Sequence, residues 1–311
     1  MIWNKLGLIH FPSETINWAQ DTMLQPTPLL LDDDIIRVFT GMRDKEGRSR
    51  VGYIDLCAKN PLKILNVSKR PCLDLGDPGM FDDNGVVPCA VVHHEDEFRL
   101  YYAGYNLCKN IRFTVFSGLA ISRDNGLSFK RLKRTPILER TNDEPLFRVI
   151  HSVINHNGDY KVWYGSGSSF SQGQSKTLPV YNVKSMDSSD GLIFPETNTV
   201  SVDIKDKEHR IGRPYVLKLD ESKYIMFYGY GSEEKPYNLG LAISSDGVDW
   251  QRKDELFKFN SELYEWESNM QAYPSVITAC NKTYLFYNGN SYGQDGIGCA
   301  VLDGSLYNYF R

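Results

Sequence analysis

Titratable side chains gather in a few short stretches of the chain. Phe81-Asp82-Asp83-Asn84-Gly85 sets two acids side by side. Partial burial, or the charge of its neighbour, raises the pKa of such a carboxyl and suits it to general-acid work. Asp83 is the candidate acid, and an Asp-Asn-Gly turn with solvated acids is the plain alternative. Asp143-Glu144-Pro145 is followed by Arg148 and His151. His151 can bind a hydroxyl or a phosphate, relay a proton, or sit as a satisfied core imidazole. Glu208-His209-Arg210-Ile211-Gly212-Arg213-Pro214 brings Arg213 directly before a proline. A guanidinium there can clamp a carboxylate or phosphate with two parallel hydrogen bonds, or close a structural salt bridge. Arg43 and Asp44, with Arg48 and Arg50 close by, pose the same choice. Glu265-Trp266-Glu267-Ser268-Asn269-Met270-Gln271-Ala272-Tyr273 contributes Glu267 as a second carboxylate and Trp266 or Tyr273 as a flat face for a sugar ring. Asn288, Asn290 and Tyr292 can hydrogen-bond sugar hydroxyls, although Asn-Gly-Asn is also ordinary turn chemistry.

These stretches stand at equivalent places in a repeat. Pro26-Thr27-Pro28-Leu29, Pro88-Cys89-Ala90-Val91, His151-Ser152-Val153-Ile154, Pro214-Tyr215-Val216-Leu217 and Pro274-Ser275-Val276-Ile277 each open a short apolar strand, 60 to 63 residues apart. A second strand follows each: IIRVFTG (35–41), FRLYYAG (98–104), YKVWYGS (160–166), YIMFYGY (224–230) and YLFYNGN (284–290). The polar turns between them are hairpin chemistry. A glycine-bearing third strand comes next, as in Ser117-Gly118-Leu119-Ala120-Ile121 and Leu239-Gly240-Leu241-Ala242-Ile243, where glycine permits close backbone approach. A polar turn then leads to an aromatic residue, as in Ser122-Arg123-Asp124-Asn125-Gly126-Leu127-Ser128-Phe129. Four strands per unit and five units predict an all-β fold, a five-bladed β-propeller of antiparallel blades. One domain over residues 1–311 is expected, with inner strands starting near 26, 88, 151, 214 and 274. Residues 1–20, including Trp3, Leu6, Leu8 and Phe11, are expected to supply the strand that closes the ring.

The totals narrow the function. A net charge of −4 over 311 residues gives no sign of a surface for a nucleic acid polymer. No apolar run is long enough to span a bilayer, and Met1-Ile2-Trp3-Asn4-Lys5 lacks the basic start and apolar core of a secretion signal. Six cysteines show no CxxC spacing and no histidine cluster, so neither a metal site nor any other cofactor is expected, and reduced thiols in the cytoplasm are. There is no GxSxG elbow, Walker loop or HExxH motif.

The five anchors, the aromatic-Gly second strands and the Gly-Leu-Ala-Ile-Ser…Asp-Gly…Trp/Phe turns resemble the five-bladed propellers of carbohydrate-active enzymes, the superfamily that holds glycoside hydrolase families 43, 32, 68 and 130. The turn S-x-D-x-G-x-x-F is similar to the Asp box of sialidase-like propellers. The run Tyr287-Asn288-Gly289-Asn290-Ser291-Tyr292-Gly293-Gln294-Asp295-Gly296-Ile297-Gly298 is distinctive within the resemblance, which covers nearly the whole chain. Similar chains accompany bacterial surface polysaccharide synthesis. The resemblance implies a general-acid Asp at the second inner strand, matched by Asp83 with Asp82 beside it, and a third-blade acid near Glu144. It also implies a base carboxylate on the first inner strand of hydrolases, where this chain has Gln25 and Thr27. The expectation is a carbohydrate-active enzyme that cleaves or transfers a glycosyl unit at the channel mouth. Asp83, Glu267, Glu144 and Asp82 are its candidate acids. Arg43, Asp44, His151, Arg213, Gln25, Trp266, Tyr273 and Asn290 are its candidate binding residues. The partner is a carbohydrate with phosphate or a nucleotide sugar as co-substrate or donor, and a non-catalytic glycan-binding or polysaccharide-assembly propeller is the rival.

Overall fold

A computed structural model describes residues 1–10 and 16–310; the expectation for Phe11 lies outside them. The chain is all-β, built of four-stranded antiparallel runs. The N-terminal strand is β1 (Ile2–His10). The first run is β2 (Asp21–Asp32), β3 (Ile35–Arg43), β4 (Ser49–Cys57) and β5 (Asn60–Val67). The second is β6 (Val86–His94), β7 (Glu97–Leu107), β8 (Phe113–Ser122) and β9 (Lys130–Arg131). The third is β10 (Phe147–His156), β11 (Asp159–Gln172) and β12 (Thr177–Ser188), edged by β13 (Thr199–Val202). The fourth is β14 (Arg210–Asp220), β15 (Lys223–Gly231), β16 (Asn238–Ser244) and β17 (Gln251–Arg252). A single parallel pairing, Tyr181 with Arg210, joins the third and fourth runs. After the short β18 (Lys258–Phe259), the last sheet is formed by β19 (Ala272–Ala279), β20 (Lys282–Asn288) and β21 (Gly296–Leu302). Here β1 pairs antiparallel with β21, so the two ends of the chain share one sheet.

The first strands of successive runs pack against one another in the order β2, β6, β10, β14, β19, and β19 packs back against β2. Apolar residues that alternate along the strands fill the spaces between sheets. Tyr53, Leu73, Val86, Leu100 and Phe116 pack between the first and second, for example, and Trp163, Ile211 and Met226 between the third and fourth.

The inner strands begin two to five residues earlier than the anchors, at 21, 86, 147, 210 and 272. The anchors mark bulges instead. Gln25-Pro26, Cys89, His151, Arg213-Pro214 and Tyr273-Pro274 each drop out of the ladder between β2–β3, β6–β7, β10–β11, β14–β15 and β19–β20. Proline lacks the ladder donor and is tolerated at such a bulge. Gln25, Arg213 and Tyr273 take positive φ there (55°, 55° and 58°), a conformation that costs a non-glycine residue about 1–2 kcal/mol. Three of the five bulges thus share the same strained conformation.

Candidate functional site

A cavity of about 420 Å³ opens beside this ring. Four of the five bulged positions, Gln25, His151, Arg213 and Tyr273, contribute to its wall, and the sequence singled out all four. Cys89, the fifth, offers its carbonyl to Arg213 at 2.6 Å. Arg213 is buried, and it also donates to the carbonyls of His151 (3.2 Å) and Pro26 (3.3 Å) and to the Thr27 hydroxyl (2.8 Å). One guanidinium thus ties four inner strands together. Burial pulls its pKa down, yet an arginine stays charged. Burial, with Arg213 beside it, holds the His151 imidazole well below its ordinary 6.5. His151 is therefore neutral at pH 7. Its Nδ1 has no partner among the described residues.

The wall combines basic and aromatic side chains, and Arg210 lies 4.3 Å from the centre of the Tyr237 ring. Arg43 ends β3, Arg112 lies on the β7–β8 hairpin, Lys176 on the β11–β12 hairpin, and Arg210 opens β14. Tyr181, Tyr237, Tyr273 and Tyr292 form an aromatic cluster in it. Tyr273 and Tyr292 stack at 5.9 Å, Tyr237 lies 5.8 Å from Tyr273, and the Tyr181 and Tyr237 hydroxyls are hydrogen-bonded. Burial, and then the neighbouring tyrosines, push Tyr273 well above its ordinary pKa, so it acts as a neutral hydrogen-bonding phenol. Tyr292 is held at φ 64° in the Asn290–Gly293 turn.

No Asp or Glu is among the described residues that line the cavity. Ten arginines of the described residues are buried or half-buried: Arg37, Arg43, Arg48, Arg50, Arg99, Arg131, Arg148, Arg210, Arg213 and Arg252. Seven of them form ion pairs with carboxylates. The three without such a pair among the described residues, Arg43, Arg210 and Arg213, are the three that line the cavity. A buried or half-buried cation without a counter-charge is costly, so this asymmetry fits the wall to an anion.

The expected acids lie elsewhere. Asp82 is buried and accepts from the Tyr102 hydroxyl (2.9 Å) and Arg131 Nε (2.7 Å). Glu144 is buried, accepts from the Tyr164 hydroxyl (2.9 Å) and pairs with Arg148 (2.8 Å) and Lys184 (3.4 Å). Glu267 is buried and accepts from Tyr287 (2.7 Å), Gln271 (2.8 Å) and Lys5 (2.5 Å). Asp254, with Tyr228 (2.5 Å) and Arg252, repeats the pattern in the fourth run. Four of the five units tie a second-strand tyrosine to a carboxylate and a cation; the first has no tyrosine in its second strand. The third-strand glycines make room for the ring: a Cβ on Gly118 would meet Tyr102 Cζ at 2.1 Å. Asp83 accepts from the Gly79 backbone amide (2.8 Å) and from Asn106 (2.6 Å), which makes it a turn-holding residue. The expected convergence of Asp83 and Glu267 with His151 and Arg213 is not found.

Three binding candidates are likewise placed outside the wall. Asp44 is buried between Arg48 and Arg50; burial works to raise its pKa, and the hydrogen bonds from the two arginines hold it below the ordinary carboxylate value. Trp266 stacks on Tyr264 and leans on Tyr287. Asn290 accepts from the Asn269 and Met270 amides and donates to the Glu265 carbonyl. Arg112, Lys176 and Arg210 were not singled out by the sequence. Their signal was positional, since Arg112 and Lys176 follow the second strand of their units as Arg43 does.

No family model matches the chain. The uncharacterized protein Rv1502 of Mycobacterium tuberculosis strain H37Rv is 31% identical over 306 residues, which is 97% of this chain and 100% of that protein. Protein MT1551 of strain CDC 1551, also uncharacterized, matches to the same extent. Among solved structures, a thermostable family-43 glycoside hydrolase superposes with a TM-score of 0.66 at 14% identity, over 95% of this chain and 94% of that one. An alpha-L-arabinofuranosidase from Lactobacillus brevis superposes with a TM-score of 0.69 at 9% identity, over 92% of each chain. At such identities the likeness shows the fold alone. The chain belongs to the family of the uncharacterized mycobacterial protein Rv1502, on a fold shared with glycoside hydrolases of the family-43 type.

Proposed function

We propose that the four-stranded runs are the five blades of a β-propeller, and that the cavity at its inner ring binds a carbohydrate bearing phosphate or carboxylate. The return of β19 to β2 supports the first part. The second rests on one observation: the non-exposed arginines that lack a carboxylate partner are those of the cavity wall. The anion sits against Arg43 and Arg210, with the buried Arg213 adding its charge from behind, and the sugar ring lies on the tyrosine cluster, where pyranose C–H groups meet an aromatic face.

Hydrolysis between two carboxylates has no support in a wall whose described residues include no Asp or Glu. Glycosyl transfer from a phosphate-bearing donor asks less of the protein. An acceptor oxygen bonds to the anomeric carbon, the bond to the phosphate oxygen breaks, and the electron pair leaves on a phosphate that the arginines stabilise. The acceptor proton passes to an oxygen of the departing phosphate, because His151, held well below its ordinary pKa by burial and Arg213, is a poor acceptor. Non-catalytic binding of the same ligands is the second reading, favoured by the absence of any acid beside them. Six free cysteines support a reducing, cytoplasmic location.

The test is a thermal-shift and turnover screen of glucose, glucose 1-phosphate, glucuronate, uridine diphosphate glucose and neutral aryl glycosides, with and without inorganic phosphate. Anionic sugars should raise the melting temperature and neutral ones should not. Hydrolysis of a neutral aryl glycoside in phosphate-free buffer, or equal response to glucose and its phosphate, would overturn the reading.

A further inference from the structure

The cations of the cavity form two tiers. Arg43, Arg210 and Arg213 belong to strands β3 and β14, where backbone pairing fixes their stems. Arg112 and Lys176 belong to the β7–β8 and β11–β12 hairpins; both are exposed, and neither has a carboxylate partner among the described residues. The β11–β12 hairpin is built long for this place. Its strands run 14 and 12 residues, against 9 and 9 for β3–β4 and 9 and 7 for β15–β16. The added length carries Phe170, Lys176 and Thr177 into the wall. One phosphate on the strand arginines leaves the hairpin pair without a counter-charge, and a second, linked phosphate supplies one.

Resting on the anion-binding reading above, we propose that the ligand is a diphosphate-linked sugar. The sugar ring lies on Tyr273 and Tyr292, the phosphate next to it meets Arg43 and Arg210, and the second phosphate lies under Arg112 and Lys176. Arg43 and Arg112 suit forked contacts to phosphate oxygens, while Lys176 acts as a point charge. The group beyond the second phosphate leaves the cavity past the hairpin tips and is either a nucleoside or an isoprenoid chain.

Binding at low ionic strength separates these possibilities, with inorganic phosphate, inorganic pyrophosphate, uridine diphosphate glucose and geranyl diphosphate as probes. Pyrophosphate should bind the wild-type protein about tenfold more tightly than phosphate, as two added exposed ion contacts allow. The double variant Arg112→Gln/Lys176→Gln should cut that ratio to about twofold while phosphate affinity stays nearly constant, since both residues lie at exposed tips. A preference for the uridine probe over the geranyl probe, or the reverse, supports the diphosphate and names its source. Equal affinity for phosphate and pyrophosphate, or a ratio that survives the double substitution, overturns the diphosphate and leaves the anion reading standing. Failure of every anion to bind overturns both.

Discussion

Substituting Glu267 separates a catalytic acid from a structural one. Its carboxylate accepts from Lys5, Tyr287, Gln271 and the Tyr264 amide, and the Lys5 and Glu267 side chains are 1% and 0% exposed. Glu267→Gln removes the charge that neutralises Lys5 and leaves a buried ammonium over the ring of Phe259 without a counter-ion. Breaking one partner of such a pair costs about 3–5 kcal/mol. At about 2.1 cal/mol/K per residue, unfolding a chain of this length carries an entropy near 650 cal/mol/K, so the loss amounts to roughly 5–8 °C in Tm. Differential scanning calorimetry reads it directly. The pair Lys5→Met with Glu267→Leu should recover a large part of the loss, because neither charge then remains buried. A Glu267→Gln protein that melts within about 1 °C of wild type and yet loses ligand turnover would refute the argument and return Glu267 to catalysis.

Other outcomes follow from the same geometry. Asp83→Asn should lower stability by about 1 kcal/mol through the Gly79 turn and leave anion affinity unchanged; isothermal calorimetry checks both. Gly118→Ala places a Cβ against the Tyr102 ring and should destabilise the second sheet by about 1–3 kcal/mol, seen in a urea melt. Because His151 titrates below 6.5 in the folded chain, the unfolded chain binds the extra proton first as pH falls. Stability should drop from pH 6.5 downward until the folded pKa is passed, by at most about 1.4 kcal/mol per pH unit from this group. His151→Gln should flatten that slope, and an unchanged slope in pH-dependent melts would assign the acid sensitivity elsewhere.

The repeat, and with it the strands, could be read from the chain because a hairpin is a local object. Turn chemistry and the two-residue alternation act over about ten residues and leave their mark in order. The anchors were legible as positions, but their nature was not. A proline reads equally well as a strand start or a bulge, and only the partner strand shows that Gln25-Pro26 and Arg213-Pro214 fall out of the ladder. The four bulged residues named from sequence do line the cavity for that reason, since all share one place in the repeat.

What the chain by itself determined was the all-β repeat and the residues that could carry charge at each inner strand. Which charges remain available was decided by tertiary structure. Lys5 meets Glu267 across 262 positions, and Arg131 meets Asp82 across 49. A carboxylate's chemistry depends on the nearest cation in space, and sequence distance says nothing of it. Once the sheets pack, Asp82, Glu144, Asp254 and Glu267 are each held by a tyrosine and a cation, whereas Arg43, Arg210 and Arg213 are left on the cavity wall without acids. Folding thereby takes a chain of net charge −4 and turns a positive face toward its inner ring, because burial neutralises charges pairwise and leaves those without a partner to set the local field.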